Sequence, residues 1–405
     1  MPEAATQRAP SGPASTSDAA DAYRRDSVTW AAFGALFGFG FLNAVLGPAL
    51  PYIRAVEHIS YVVGALHQVA YAVGGGLAGL LAAHRPARIS RAATITTGLV
   101  GASIPALAVG YGDAAAITIA GALAMSLMGT TALIRLWAAL ADIHGERRAI
   151  AMSEGEVSVS LAGIVTPALI AALAATALSW RFAFVAGAAT AAVAGAAVWR
   201  VGMAPESRSA DDAGALSGSG AHRWAQPTLL IVFAIVGLEF SLSFWLASYL
   251  HDDVGVAPGA AAATVSGLYA ANLAGRLLAS RLARRTSSER LLAAALGTAL
   301  IGLPAFLAAT QIAVAIAGIA ITGIGIGAMF PLASSVHVKA SGRSADSALG
   351  QVLAVASLGQ LTGPLAVGAI AQGAGLRTGL LVLPALTVMA AAALSLSNIQ
   401  AKVEP

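Results

Sequence analysis

SLAGIVTPALIAA, residues 160–172, returns as SLGQLTGPLAVGA, residues 357–369, at an offset of 197 that sets Pro167 against Pro364. A second pair keeps nearly the same spacing: LAG at 77–79 followed by LLAAHR, and LAG at 273–275 followed by RLLASR. One short identity would carry little in so biased a composition. Two at almost one offset, both at matching ends of equivalent apolar runs, argue for an internal duplication.

The chain of 405 residues is 58% hydrophobic and 10% charged, with a mean hydropathy of +0.78. Soluble domains carry about 25% charged residues, so the deficit marks a polytopic membrane protein. A helix crossing a bilayer needs about 20 mostly apolar residues. That window finds twelve spans: 28–50, 59–82, 91–111, 114–140, 149–174, 181–201, 226–249, 260–282, 289–309, 311–335, 344–371 and 376–397. The runs are long and continuous, without the alternation of a membrane barrel. The narrowest separation falls at Thr310 and Gln311.

GMAPESRSADDAGALSGSGAHRWA, residues 202–225, divides the spans six and six and reads as a flexible cytoplasmic linker. The expected organisation is a disordered tail at 1–26, bundles at 27–201 and 226–397, and a second tail at 398–405. Residues 1–26 are Ala/Ser/Pro-rich and end in AYRRD, with no apolar core for a signal peptide. Arginines concentrate on one side: Arg24 and Arg25, Arg85, Arg88 and Arg91, Arg147 and Arg148, Arg200, Arg208 and Arg223, Arg281, Arg284, Arg285 and Arg290, with Lys339 and Arg343. The other side holds Arg54, Arg181 and Arg377. Basic loops face the cytoplasm, so both termini are expected inside a bacterial inner membrane.

Several functions are disfavoured. There is no cysteine, which removes disulfides and cysteine-held metals. The net charge of +4 comes from loop arginines and does not point to nucleic acid. No G-x-x-x-x-G-K-[ST] loop supports ATP-driven transport. The seven histidines are scattered and no H-E-x-x-H or G-x-S-x-G stands out, so neither catalytic residues, metal nor cofactor are expected. A receptor would add a sensory or output domain, for which the tails are short.

Further residues carry a resemblance. The twelve spans in two halves, basic loops after spans two and eight, ERRA at 146–149, WRFAF at 180–184 and G-x-x-x-G-P at 359–364 together resemble the major facilitator superfamily (MFS) over residues 27–397. The family's loop motif G-x-L-A-D-R-x-G-R-R stands here as GLLAAHRPAR (79–88), with Ala83 at the acidic position. Its copy GRLLASRLARR (275–285) also lacks the acid, and Thr166 stands where the family's fifth span has glycine before Pro167. LEFSLSFWLASYL (238–250) resembles the seventh span of fucose:proton symporter-like members. The resemblance implies alternating access around a midplane site between the halves.

Glu239 is the acid of the otherwise apolar run 227–250. A mid-membrane carboxyl is costly and marks binding or proton transfer, against the plainer role of a hydrogen bond to a neighbouring helix. The repeat sets Glu239 opposite Asn43 in span one, and the resemblance implies that both line the central pathway. Arg135, Glu154 and Glu156 form a second group. Residues 135 and 154 are equidistant from the turn near 145, at about 10 Å depth. An Arg there calls for a Glu partner on the next helix, as a structural lock or as a site that receives a substrate carboxylate. Both readings stand.

His67, Gln68, Asn272, Gln351 and Gln360 are further binding candidates, with Gln351 the repeat mate of Glu154; a lone amide also serves as a helix–helix hydrogen bond. Arg276 and His337 read as interfacial or gating groups. Trp245 is either outer-belt aromatic or a ring that stacks on substrate and closes the outer gate; Tyr249 reads as belt. The glycine-rich GIAITGIGIGAMFP (318–331) reads as a pliable helix. The expected function is secondary transport of a small organic solute, coupled to protons through Glu239, Glu154 or Glu156. A polar solute such as a sugar or organic acid is favoured over the alternative, proton-antiport export of drugs or metabolites. The partners are then solute, protons and the bilayer, with the chain acting as a monomer.

Overall fold

The computed structural model describes residues 24–84, 89–203, 227–341 and 345–403. These form twelve helices with no strand among the described residues. They are α1 (Ser27–Glu57), α2 (Tyr61–His84), α3 (Arg91–Tyr111), α4 (Ala115–His144), α5 (Arg148–Ala174), α6 (Phe182–Val201), α7 (Pro227–Asp252), α8 (Pro258–Leu282), α9 (Ser288–Leu307), α10 (Ile312–Ser341), α11 (Ala345–Ala374) and α12 (Val382–Val403). A one-turn helix, Leu376–Gly379, precedes α12. Eleven of the twelve are long and apolar enough to cross a membrane; α8 has the length but carries Asn272, Arg276 and Arg281. Ile104 (75% exposed), Ile301 (70%) and Val193 (69%) face outward, a surface suited to lipid rather than water.

The narrow split at Thr310 holds, since α9 ends at Leu307 and α10 begins at Ile312. The ends differ from the window boundaries. α1 runs to Glu57 rather than 50, bending at Val45, while α4 and α10 run on to His144 and Ser341. A hydropathy window stops at the first polar residues, whereas the backbone ladder continues. Likewise the tail expected at 398–405 is helical through Val403. Residues 1–23 of the expected N-terminal tail, 204–225 of the linker and the basic stretch 85–88 lie outside the described residues.

Helix direction alternates, so α1, α3, α5 and α7 begin on the face where residues 203 and 227 end and resume the chain; we call this the linker face and its opposite the distal face. Asp26 opens α1 there as an N-cap, accepting from Thr29 N (2.8 Å) and Thr29 Oγ1 (2.7 Å). Desolvation pushes its carboxyl up, but these bonds and the nearby His144 prevail and hold it below the usual carboxylate range. The same tie recurs in each half. Thr29 Oγ1 of α1 meets His144 Nε2 of α4 at 3.0 Å, and Thr228 Oγ1 of α7 meets His337 Nδ1 of α10 at 2.8 Å. The halves meet along α2 with α11, α5 with α8, and the distal part of α1 with α7.

Candidate functional site

A close crossing of the halves sets the site's position. A Cβ added to Gly47 would lie 2.5 Å from Ser243 O and 2.9 Å from Phe244 Cα, so only glycine lets α1 lie this near α7. Residues one turn apart stack on one helix face. Asn43 and Glu239, four before Gly47 and Ser243, therefore sit on the facing sides one turn toward the linker face. Both are half-buried.

Glu239 has no hydrogen-bond partner among the described residues, but it is not electrically alone. Arg276 of α8, Glu156 of α5 and Tyr269 of α8 lie within its field. Arg276 is already engaged: its Nη1 donates to Glu156 Oε2 at 2.9 Å across the halves, and its Nε donates to Gly327 O of α10 at 3.3 Å. With all three ionised, two carboxylates face one guanidinium, and the group carries a net charge of −1. Tyr269 packs over α5, where a Cβ on Gly163 would lie 2.9 Å from its ring, and Tyr71 of α2 lies near Tyr269 from the other half. A carboxylate that makes no hydrogen bond among the described residues, an amide and two phenols thus gather where the halves meet.

Above this site the distal face is closed. Arg54 of α1 donates from Nη1 to Asp252 Oδ2 of α7 at 2.7 Å, and Tyr61 OH of α2 donates to the same oxygen at 3.0 Å. The Arg54 guanidinium lies 3.9 Å from the Tyr61 ring centre, and Tyr61 meets Trp245 edge-on at 5.9 Å. Trp245 is wholly buried, and its Nε1 donates to Pro364 O at 2.9 Å. Deeper, Ser266 Oγ of α8 donates to Ile164 O of α5 at 2.7 Å.

The remaining candidates are spread out. His67 is buried within the first half, with Nε2 2.9 Å from Thr118 Oγ1 and Nδ1 3.2 Å from Gly64 O. Gln68 is buried one turn on from Ala65, which meets Gly368 of α11. Asn272 lies between α8 and α10, its amide nitrogen donating to Gly323 O (2.9 Å) and Leu268 O (3.2 Å). That is a helix–helix amide away from the boundary of the halves. Gln351 is buried beside His337, Oε1 to Nε2 at 3.3 Å, in the tie of the second half. Gln360 and Arg135 are half-buried on α11 and α4. Glu154 accepts two bonds from Arg25, at 2.8 and 2.5 Å, a partner that the α4–α5 hairpin argument did not include. Glu156 faces Arg276 instead.

Four residues of this constellation are not among the candidates read from the sequence: Tyr71, Tyr269, Arg54 and Asp252. Two tyrosines far from the ends of their spans were the available signal, since belt tyrosines sit at interfaces. Among the described residues no group of three or more His, Asp or Glu could hold a metal ion.

Comparison with known proteins agrees with this architecture. No curated protein matches in sequence. Among solved structures, a bacterial homolog of the human lysosomal transporter Spinster, inward-facing and unoccupied, aligns with a TM-score of 0.74 at 16% identity, over 93% of this chain and 98% of that one. The nucleoside transporter NupG aligns at 0.73 and 12% identity (92% and 100% covered), and a D-xylose–proton symporter at 0.71 and 14% (92% and 96%). At such identities these share the fold. The family model for the Major Facilitator Superfamily matches residues 32–350, and with most of the chain inside that match, the protein is a member of this superfamily of transporters.

Proposed function

We propose that the chain is a proton-coupled secondary transporter that moves a polar organic solute by alternating access, with Glu239 carrying the proton. The observation behind this is an acid that has no hydrogen-bond partner among the described residues, midway along an apolar helix at the boundary of the halves. Protonation would change the net charge of the Glu239–Arg276–Glu156 group from −1 to zero, removing the field that competes with Glu156 for Arg276. Tyr71, Tyr269 and Asn43 would supply hydroxyl and amide contacts to the solute. A membrane potential offers about 2.3 kcal/mol per charge per 100 mV, enough to drive accumulation. The arginine-rich linker face would be cytoplasmic, and the protein would work as a monomer.

In proteoliposomes with an imposed proton gradient, Glu239→Gln is expected to abolish accumulation while solute exchange continues. Accumulation that stays unaltered across pH in this variant would remove Glu239 from the role. A thermal-shift screen with sugars, organic acids and organic cations selects the solute class beforehand. The net charge of −1 favours one second reading, in which an organic cation replaces the proton at Glu239 and the transport is exchange. Under that reading organic cations stabilise the wild type, and Glu239→Gln loses that stabilisation.

A further inference from the structure

The linker-face end of α8 carries charge that the transport site does not use. Arg281, Leu282, Arg284 and Arg285 line a concave site of about 430 Å³. Three basic side chains elsewhere on this face have carboxylate partners, Arg25 with Glu154, Arg91 with Asp142 at 2.6 Å, and Lys339 with Glu289 at 3.1 Å, whereas Arg147, Arg148, Arg200 and Arg290 make no ion pair among the described residues and line no such cavity with one another. The side chains of Arg281, Arg284 and Arg285 make no hydrogen bond or ion pair among the described residues, and all three are exposed. The next acid along the chain, Glu289, is taken by Lys339.

The helix just inside this basic turn is apolar and open. Leu277 (48% exposed), Leu278 (50%) and Leu282 (45%) point outward. Leu277 and Arg281 are one turn apart on one face, as are Leu278 and Leu282. Moving about 6 Å along the helix toward its end, the outer surface thus changes from leucine to arginine. Setting topology requires basic residues on one side of the membrane, but not their convergence on one cavity above exposed leucines.

We propose that this end of α8 binds an anionic phospholipid, the arginines holding the headgroup phosphate and Leu277, Leu278 and Leu282 receiving an acyl chain. A free phosphate matches the arginines alone, and the leucines favour the lipid. The site lies on the helix that carries Arg276, five residues away, so a lipid held there steadies the segment from which Arg276 reaches Glu156.

The test is native mass spectrometry of the full chain in neutral detergent, titrated with short-chain phosphatidylglycerol, with phosphatidylcholine of the same chains, and with inorganic phosphate. Each basic side chain near an anionic surface contributes about fivefold in affinity. Phosphatidylglycerol is therefore expected to bind at least about fiftyfold tighter than phosphatidylcholine, with inorganic phosphate failing to displace it. Arg281→Gln/Arg284→Gln/Arg285→Gln is expected to lose this preference, and Arg147→Gln/Arg148→Gln/Arg200→Gln, with equal charge removed from the same face, to keep it. If the first variant does not fold, Arg284→Gln alone and raised salt on the wild type each report on the same preference. A preference unchanged in the α8 variants and insensitive to salt overturns the proposal. So does displacement of the lipid by inorganic phosphate.

Discussion

The two faces of the molecule hold the halves together by different means. At the distal face Arg54 is fixed by Asp252 and stacked on Tyr61, Tyr61 leans on a buried Trp245, and α1 meets α7 backbone to backbone at Gly47. Toward the linker face the halves share the Arg276–Glu156 pair, whose side chains remain 35% and 46% exposed. An exposed ion pair is worth about 0–1 kcal/mol. Packed contacts close the first face, while a solvent-screened bridge marks the second. The chain is therefore caught with its distal face shut, and opening that face must break shape complementarity as well as charge.

Three substitutions probe this contrast. Because the chain has no cysteine, a single Ser266→Cys, labelled by an impermeant maleimide from the distal side, reports distal opening without background. Gly47→Val puts atoms where Ser243 O and Phe244 Cα lie, and overpacking costs about 1–3 kcal/mol. It is expected to raise distal labelling about ten- to hundredfold and to nearly stop transport; unchanged labelling would mean that the crossing is not the seal. Arg54→Gln removes a partly buried pair and a cation–π contact, together about 1–2 kcal/mol. Distal labelling should rise by about tenfold at most, and if it does not rise at all, packing alone closes the face. Glu156→Gln is expected to change labelling less than about fivefold, in line with an exposed pair. A larger shift would show the bridge to be stronger than its exposure implies.

The fold could be read from the repeat because duplication leaves a fixed offset, and membrane helices announce themselves by length. The repeat offset sets Glu239 opposite Asn43, and the α1–α7 crossing at Gly47 and Ser243 also differs by 196. What escaped were contacts between elements that neither the repeat nor a hairpin relates. Arg25 and Glu154 lie 129 residues apart, and the geometry of adjacent helices offered Glu154 only Arg135. Arg54 reads in the sequence only as a charge on the outer side, and Asp252 falls past the expected end of span seven, because the apolar windows close before α1 and α7 do. Asn272 and Gln351 look like Glu239 in the sequence, polar residues within apolar runs. Which face of a helix meets its own half and which meets the other is decided by packing, and a composition this uniformly apolar records little of it.

The Thr29–His144 and Thr228–His337 ties show that each set of six helices fastens its own rim with its own atoms. Neither tie borrows a residue from the other set. Each six-helix unit is in that sense a finished part before the two are joined, and a gene cut within residues 204–226 should yield two polypeptides that insert separately and meet in the membrane. Duplication of such a part gives a two-part machine at once, and divergence then needs to change only the surfaces where the parts touch.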